Sequence, residues 1–326
     1  MSAVPVARPL LWCAAALVLA GATMAHAGTL RVGKAVVNFG FVPVDVGVAK
    51  GIFEKHGLEI EGYDFTGGLK LQQALNAGSI DIALSGGTDL ALAAKGAPEL
   101  AVGSITSSPG FLGITVGSGS GITSVDGLKG KKIGVTGSGS LTYWLVEELN
   151  RVKGWGTDGA MPVAIGGATS IQNAALKTHQ VDGFLANTGA GLWLEEQGTA
   201  HFLVPTSAYE GDFELFTIFA STAILQKDPD GVRRFLSGWY ESIAYMRTHK
   251  DETVAITSKI TGFSAAVEAR DYDLLMRGFS TDGRFKPAAL DRLRTIFTDL
   301  KVLDSPLDFS KLTTEQYLPA MTDNPG

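Results

Sequence analysis

Four consecutive small residues, Gly137, Ser138, Gly139 and Ser140, separate a short β-like segment from an amphipathic helical stretch in GVTGSGSLTYWLVEEL, residues 134–149. Bare backbone N–H groups and two hydroxyls at a helix mouth attract negative charge, because first-turn N–H groups lack intrahelical partners and the peptide dipoles add toward that end. A nucleotide phosphate, a reacting anion and the acidic end of a captured solute would all be served. A Walker loop is excluded, since no Gly-Lys-Ser/Thr follows, and the dinucleotide fingerprint fails because Thr142 stands where its third glycine belongs. The plain alternative is that Ser140 only caps the helix.

Other candidates gather where predicted strands end, which is where ligands lie in α/β sheets. Asn38, Phe39 and Phe41 follow the first strand; either ring could stack on a flat ligand or sit in the core. Gly67 and Gly68 follow the second strand, Ser85, Gly86, Gly87 and Thr88 the third, and Thr106 the fourth, with ordinary turn chemistry as the competing explanation. Asn187 and Thr188 hold the matching place in the second half, and Glu214 could reach a cleft floor and bind a cationic group.

Catalytic patterns are scarce. His56, His179, His201 and His249 show no metal-ligand spacing, and there is no Gly-x-Ser-x-Gly elbow and no paired carboxylates on an obvious common face. The only cysteine is Cys13. It falls inside an expected export signal, residues 1–27, in which Arg8 gives a positive start, residues 10–20 an apolar run too short to span a bilayer, and Ala25-His26-Ala27 a cleavage pattern. The expected mature chain therefore lacks disulfides, thiol chemistry and cysteine metal sites. Its balance of 26 basic and 33 acidic residues, without a basic cluster, speaks against a nucleic-acid partner.

Two blocks of alternating elements must position these residues. Residues 30–37, 58–65, 80–84 and 100–105 read as strands, with helices between them; the spacing predicts a parallel sheet covered on both faces. After a Gly/Ser-rich stretch at 116–124, strands are expected at 132–136, 161–165, 181–186 and 201–204, and the apolar run 213–221 as a strand returning to the first block. Beyond it the texture is helical: 230–249, 265–276 and 287–300 are apolar enough that they must cover something, the first sheet above all.

The stretches ALNAGSIDIALSGG (74–87), VDGLKGKKIGVTGSGS (125–140) and QVDGFL (180–185) make the chain similar to the extracytoplasmic solute-binding proteins of ABC importers. It most resembles the branch that captures nitrate, sulfonates, taurine and thiamine pyrimidine precursors. The resemblance implies an α/β, two-lobed periplasmic binding protein fold of type II, with two crossing strands as hinge and extra C-terminal helices on the first lobe. It implies lobe 1 over 28–110, lobe 2 over 111–212, and completion of lobe 1 by 213–326. It also implies a periplasmic monomer cleaved after Ala27, with no cofactor and no metal, that passes its ligand to an inner-membrane ABC permease. A secreted enzyme on the same scaffold, acting on a thiamine-pyrimidine-like metabolite, and a sensor module docking on a kinase are the rival expectations. Two departures bear on the ligand: Asn187, Thr188 and Gly189 replace an aromatic-Asp-Pro corner, and Gly87 stands where relatives often place an acid. They weigh against a sulfonate-specific site and equally against one for an amine-bearing ligand.

Overall fold

The computed structural model describes residues 28–303 and 307–320; the expected export signal lies outside them. The described strands, in chain order, are β1 Gly28–Lys34, β2 Leu58–Asp64, β3 Ile82–Gly86, β4 Glu99–Thr106, β5 Leu112–Gly117, β6 Lys132–Val135, β7 Met161–Ala164, β8 Gly183–Asn187, β9 Ala200–Pro205 and β10 Phe216–Ser221. They form two five-stranded sheets, ordered β2-β1-β3-β10-β4 and β7-β6-β8-β5-β9.

The sheets are mixed, which corrects the expectation of purely parallel ones. β1 pairs in parallel with β2 and β3, and β6 with β7 and β8, whereas β10 runs against β3 and β4, and β5 against β8 and β9. The register gives the reason. β10 begins with Phe216 opposite Gly86, and β5 with Leu112 opposite Asn187, so each enters beside the last residue of a parallel strand. A chain arriving from the other lobe enters at the hinge, where the parallel strands end, and must run back against them. β5 escaped the sequence reading because Gly113 and Gly117 interrupt its apolar pattern and it runs straight into the Gly/Ser-rich stretch.

Helix starts follow local chemistry. Ser140 caps Leu141–Lys153 by accepting from the Tyr143 N–H at 3.2 Å, and Gly154 closes that helix at φ 63°, a left-handed conformation that costs glycine little. Asp228 caps Pro229–Thr248, where proline at the first position needs no N–H partner. Ser264 caps Ala265–Leu275.

The C-terminal helices cover the first sheet as expected. Trp239 and Phe235 of Pro229–Thr248 are fully buried, and Phe235 stacks on Phe53 with centroids 5.5 Å apart. Burial of each such ring contributes about 1.5–3 kcal/mol. Two of these helices do more than cover. Ala265–Leu275 packs on Thr188–Glu196, and Pro287–Asp299 on Leu141–Lys153, so both lean from the first sheet's side onto helices of the second. A further helix, Lys250–Thr261, lies between the expected ones.

Candidate functional site

The first strand's end meets the second lobe directly. Asn38 Oδ1 accepts from the Phe41 N–H at 3.2 Å, capping a short 3₁₀ turn, and that bond orients the amide so that Nδ2 donates to Asn187 Oδ1 at 3.2 Å. Asn187 precedes the helix Thr188–Glu196 without capping it through its side chain, so its amide faces its neighbours across the lobes. Around this pair lies a cavity of about 50 Å³, walled by Asn38 and Phe39 on one side and Asn187, Thr188 and Gly189 on the other, with Phe111 also lining it.

Two acids of Ala265–Leu275 complete the wall. Glu268 and Asp271 line the cavity with only 1% and 3% of their surface exposed. Glu268 accepts from the Thr261 hydroxyl with one oxygen; its other oxygen, Oε2, and Asp271 Oδ1 have no hydrogen-bond partner among the described residues. A Cβ built on Gly189 would stand 2.7 Å from Asp271 Oδ2, so glycine is what lets this carboxyl reach the first turn of Thr188–Glu196. Burial pushes the Asp271 carboxyl well above the ordinary range, with the Glu268 charge adding to it, and burial raises Glu268 against the pull of Thr261.

The sequence reading missed both acids. It took residues 265–276 as a covering helix. The available signal was two carboxyls three residues apart within the stripe of Val267, Tyr272 and Leu275, on the face that turned out to be buried.

Of the expected site residues, Asn38, Phe39, Asn187 and Thr188 are brought together in this cavity. Thr188 spends its hydroxyl on the Gly110 carbonyl at 3.0 Å, while Phe39 packs edge-on to Tyr272 with centroids 6.2 Å apart. The others lie outside it. Phe41 is a core residue rather than a stacking platform: it is buried against Phe216, 4.9 Å between ring centroids, because it turns inward as the helix starts. Ser85 donates to Asp89, which also accepts from Gln72 at 3.1 Å, and Gly68 leaves Asp89 the space it needs. Ser85 and Asp89 are thus paired with each other within lobe 1. Gly67 binds the Ala35 carbonyl, and Gly87 donates to the Leu215 carbonyl. Gly86 and Thr88 flank Gly87, half-buried. Thr106 is fully buried and donates to the Gly278 carbonyl at 2.6 Å.

Glu214 is also corrected: it does not reach a cleft floor. Its side chain is wholly buried, with Ser104 and Thr217 each donating to one carboxyl oxygen at 3.0 Å, and burial pushes its pKa up to about 8. The stretch of residues 137–140 keeps its helix mouth. Ser138 and Gly139 are exposed, and Ser140, Thr142 and Thr136 form a chain of hydroxyl contacts at 3.0 and 2.9 Å. This mouth lies outside the enclosed cavity.

A second, larger cavity of about 700 Å³ opens beside the hinge, where Ser107, Arg247, Arg277 and Lys286 are among its lining groups. Lys286 is held by Asp212 at 3.0 Å, and Arg247 donates to the Phe279 carbonyl at 3.2 Å. Among the described residues no group of three or more His, Cys, Asp or Glu is arranged to hold a metal, and no helix is long and apolar enough to cross a membrane.

Residues 38–253, about two thirds of the chain, match the family described as NMT1/THI5 like. The chain belongs to the NMT1/THI5-like family. Its relatives within reach of sequence comparison include a Brucella abortus protein named a candidate binding protein, 29% identical over 238 residues, spanning 71% of this chain and 70% of that one. Among solved structures, this NMT1/THI5-like chain superposes on the aliphatic sulphonate binding protein SsuA of Escherichia coli with a TM-score of 0.72 at 21% identity, covering 88% of this chain and 97% of that one. The alkanesulfonate-binding protein SsuA of Xanthomonas axonopodis pv. citri gives 0.71 at 20% identity, over 88% and 98%. The desulfurization enzyme DSZB gives 0.65 at 17% identity, over 89% and 97%. These likenesses establish the two-lobed periplasmic binding protein fold.

Proposed function

We propose that this chain is the solute-binding component of an ABC importer, which captures a small polar or anionic organic solute between its lobes and presents it to a permease in the inner membrane. The observation that carries this is the cavity walled from both lobes, with Asn38 and Asn187 hydrogen-bonded across it. A solute held by both walls binds the closed arrangement better than the open one, so binding drives closure and closure is the signal the permease reads. The protein acts after export, with its signal removed after Ala27, as a monomer without a cofactor. Lobe 1 then comprises 28–110 together with 213–326, and lobe 2 comprises 111–212.

Solutes named for the SsuA neighbours, the alkanesulfonates, belong in the first panel to be tested, with nitrate, carboxylates and heterocycles beside them. The exposed helix mouth at 138–140 adds N–H groups and hydroxyls outside the enclosed cavity, suited to the part of a solute that extends from it. Small-angle scattering of the mature protein with and without each solute tests the reading. A compaction on binding is expected, and profiles unchanged across the whole panel would overturn it. Because DSZB shares the fold, the bound solute should also be recovered chemically unaltered; its conversion by purified protein would favour an enzyme.

A further inference from the structure

We infer that the part of the solute enclosed between the lobes is a cationic nitrogen head group, an amine or amidine, received by Asp271 and Glu268. This rests on the solute-capture reading, narrows it, and reverses the expectation drawn from Gly87 that the site is unsuited to an amine, because the acids come from Ala265–Leu275 instead.

Donors and acceptors around the enclosed cavity are unequally spent. Asn38 has used its Oδ1 on the Phe41 N–H and one N–H of Nδ2 on Asn187, and Thr188 has used its hydroxyl on Gly110. The acceptors that remain unspent are on the acids, Asp271 Oδ1 and Glu268 Oε2, each on a side chain at least nine-tenths buried and lining the cavity, while the Asn187 amide keeps its N–H donors for an uncharged part of the solute. Buried polar atoms are almost always paired in native proteins, and a buried group without a partner carries a cost that a bound group can remove. Two oxygen acceptors in one cavity call for a group rich in N–H donors. A sulfonate or carboxylate would bring a third set of acceptors, whereas a cation is the partner that favours the ionised form of two carboxyls that burial alone disfavours.

No cation among the described residues supplies that need. The ion pairs of this face lie elsewhere: Arg270, on the same helix, is turned to Glu195 at 2.7 Å, and Lys250 to Asp273 at 2.5 Å. Size agrees with chemistry. A cavity of about 50 Å³ exceeds the ~10–15 Å³ needed for one water, so it encloses a head group of a few heavy atoms but not a whole metabolite. Phe39 and Phe111 give it apolar walls, which strengthen charge-assisted hydrogen bonds by excluding water.

The test uses the mature chain and two isosteric variants, Asp271→Asn and Glu268→Gln. A carboxamide keeps a similar shape and gains an N–H donor, so each variant should fold while being unable to ionise opposite a bound cation. Isothermal titration would use benzamidine, agmatine and methylguanidine as cationic probes, and methanesulfonate, acetate and nitrate as anionic ones. The expected result is binding of at least one cationic probe, weakened tenfold or more in each variant, with thermal melts showing both variants folded. Cation binding undiminished in both variants would overturn the inference. So would binding of the anionic probes alone, with equal or higher affinity in the variants; that outcome leaves solute capture standing and removes only the cationic head group. If no probe binds and protein purified under native conditions shows no solute by mass spectrometry, the capture reading itself falls, and this inference with it.

Discussion

Two helices cross from lobe 1 onto lobe 2, and they differ in how their buried charges are matched. Pro287–Asp299 brings Arg292 to two buried carboxylates of the other side, Glu210 and Glu148, each at 2.7 Å, and lays its guanidinium over the Trp144 ring at 4.9 Å. Trp144 in turn donates to Asp299 at 2.9 Å. Burial alone would raise Glu148, but hydrogen bonding from Arg151 and the charge of Arg292 outweigh it and hold its carboxyl below the ordinary range. Ala265–Leu275 brings Glu268 and Asp271 to a similarly buried place with no cation opposite, and both carboxyls are pushed up. Low exposure on both sides with opposite partner accounting separates a strap from a binding wall. The matched contact ties the lobes near the crossing strand that follows Glu210, and the unmatched one leaves acceptors for something else.

The largest effect should come from breaking the strap. Arg292→Met leaves Glu210 buried without its cation, and removing one partner of a buried pair costs about 3 kcal/mol. Urea unfolding should register that loss, and a change below about 1 kcal/mol would show that the matched contact is not what holds this side.

Next comes the helix mouth. Ser140→Ala removes a cap and should cost about 1 kcal/mol, whereas Ser138→Ala, on an exposed residue without a capping role, should leave the melting temperature unchanged. Solute affinity should fall severalfold in the double variant. Equal affinity by calorimetry would remove the mouth from the site and leave the enclosed wall as the whole of it.

Unmatched acids also set a pH dependence. Glu99 has neither carboxyl oxygen paired among the described residues, and burial pushes its pKa up to about 8, as it does for Glu214. Both hold their protons in the folded chain up to about pH 8 but release them near pH 4.5 when unfolded. The folded state therefore binds more protons through that window. Stability should fall as pH rises from about 4.5 to about 8 and level off above it. Glu99→Gln should flatten part of that slope, as read by melts at the two ends. A slope unaltered in Glu99→Gln would mean that this carboxyl is not protonated in the fold.

The smallest effect is expected at the rim of the unmatched side. Arg270 is half exposed and pairs with Glu195, which keeps His201 as a second partner at 2.6 Å. Arg270→Ala should change stability by less than about 1 kcal/mol in urea unfolding. A larger loss would make this rim a second strap and erase the contrast between the two helices.

Much of the architecture was legible because it rests on local rules. Alternating apolar segments gave β1 to β4 and β6 to β10 within a few residues, and Ser140, Asp228 and Ser264 stand where a capped helix begins. Strand direction was not legible. An apolar run such as 216–221 reads the same whichever way it pairs, and β10 is antiparallel only because the chain re-enters the first sheet from the hinge. The candidate site divides in the same way. That Asn38 and Asn187 would meet was legible because both stand at strand ends, where ligands lie in α/β sheets, a rule of position. Glu214 was misplaced because nothing local distinguishes a carboxyl pointing into a cleft from one satisfied by Ser104 and Thr217 inside the lobe.

The sequence by itself determined two α/β blocks, their capped helices and a small-residue helix mouth, since these depend on periodicity, side-chain volume and backbone freedom over a few residues. Only the tertiary structure decided that Asp271 and Glu268, more than 80 residues beyond Asn187, would share a cavity with it while Arg292 would close a strap on the other side. Whether a buried charge is matched depends on which distant groups the fold brings within about 3 Å, and no local pattern carries that information.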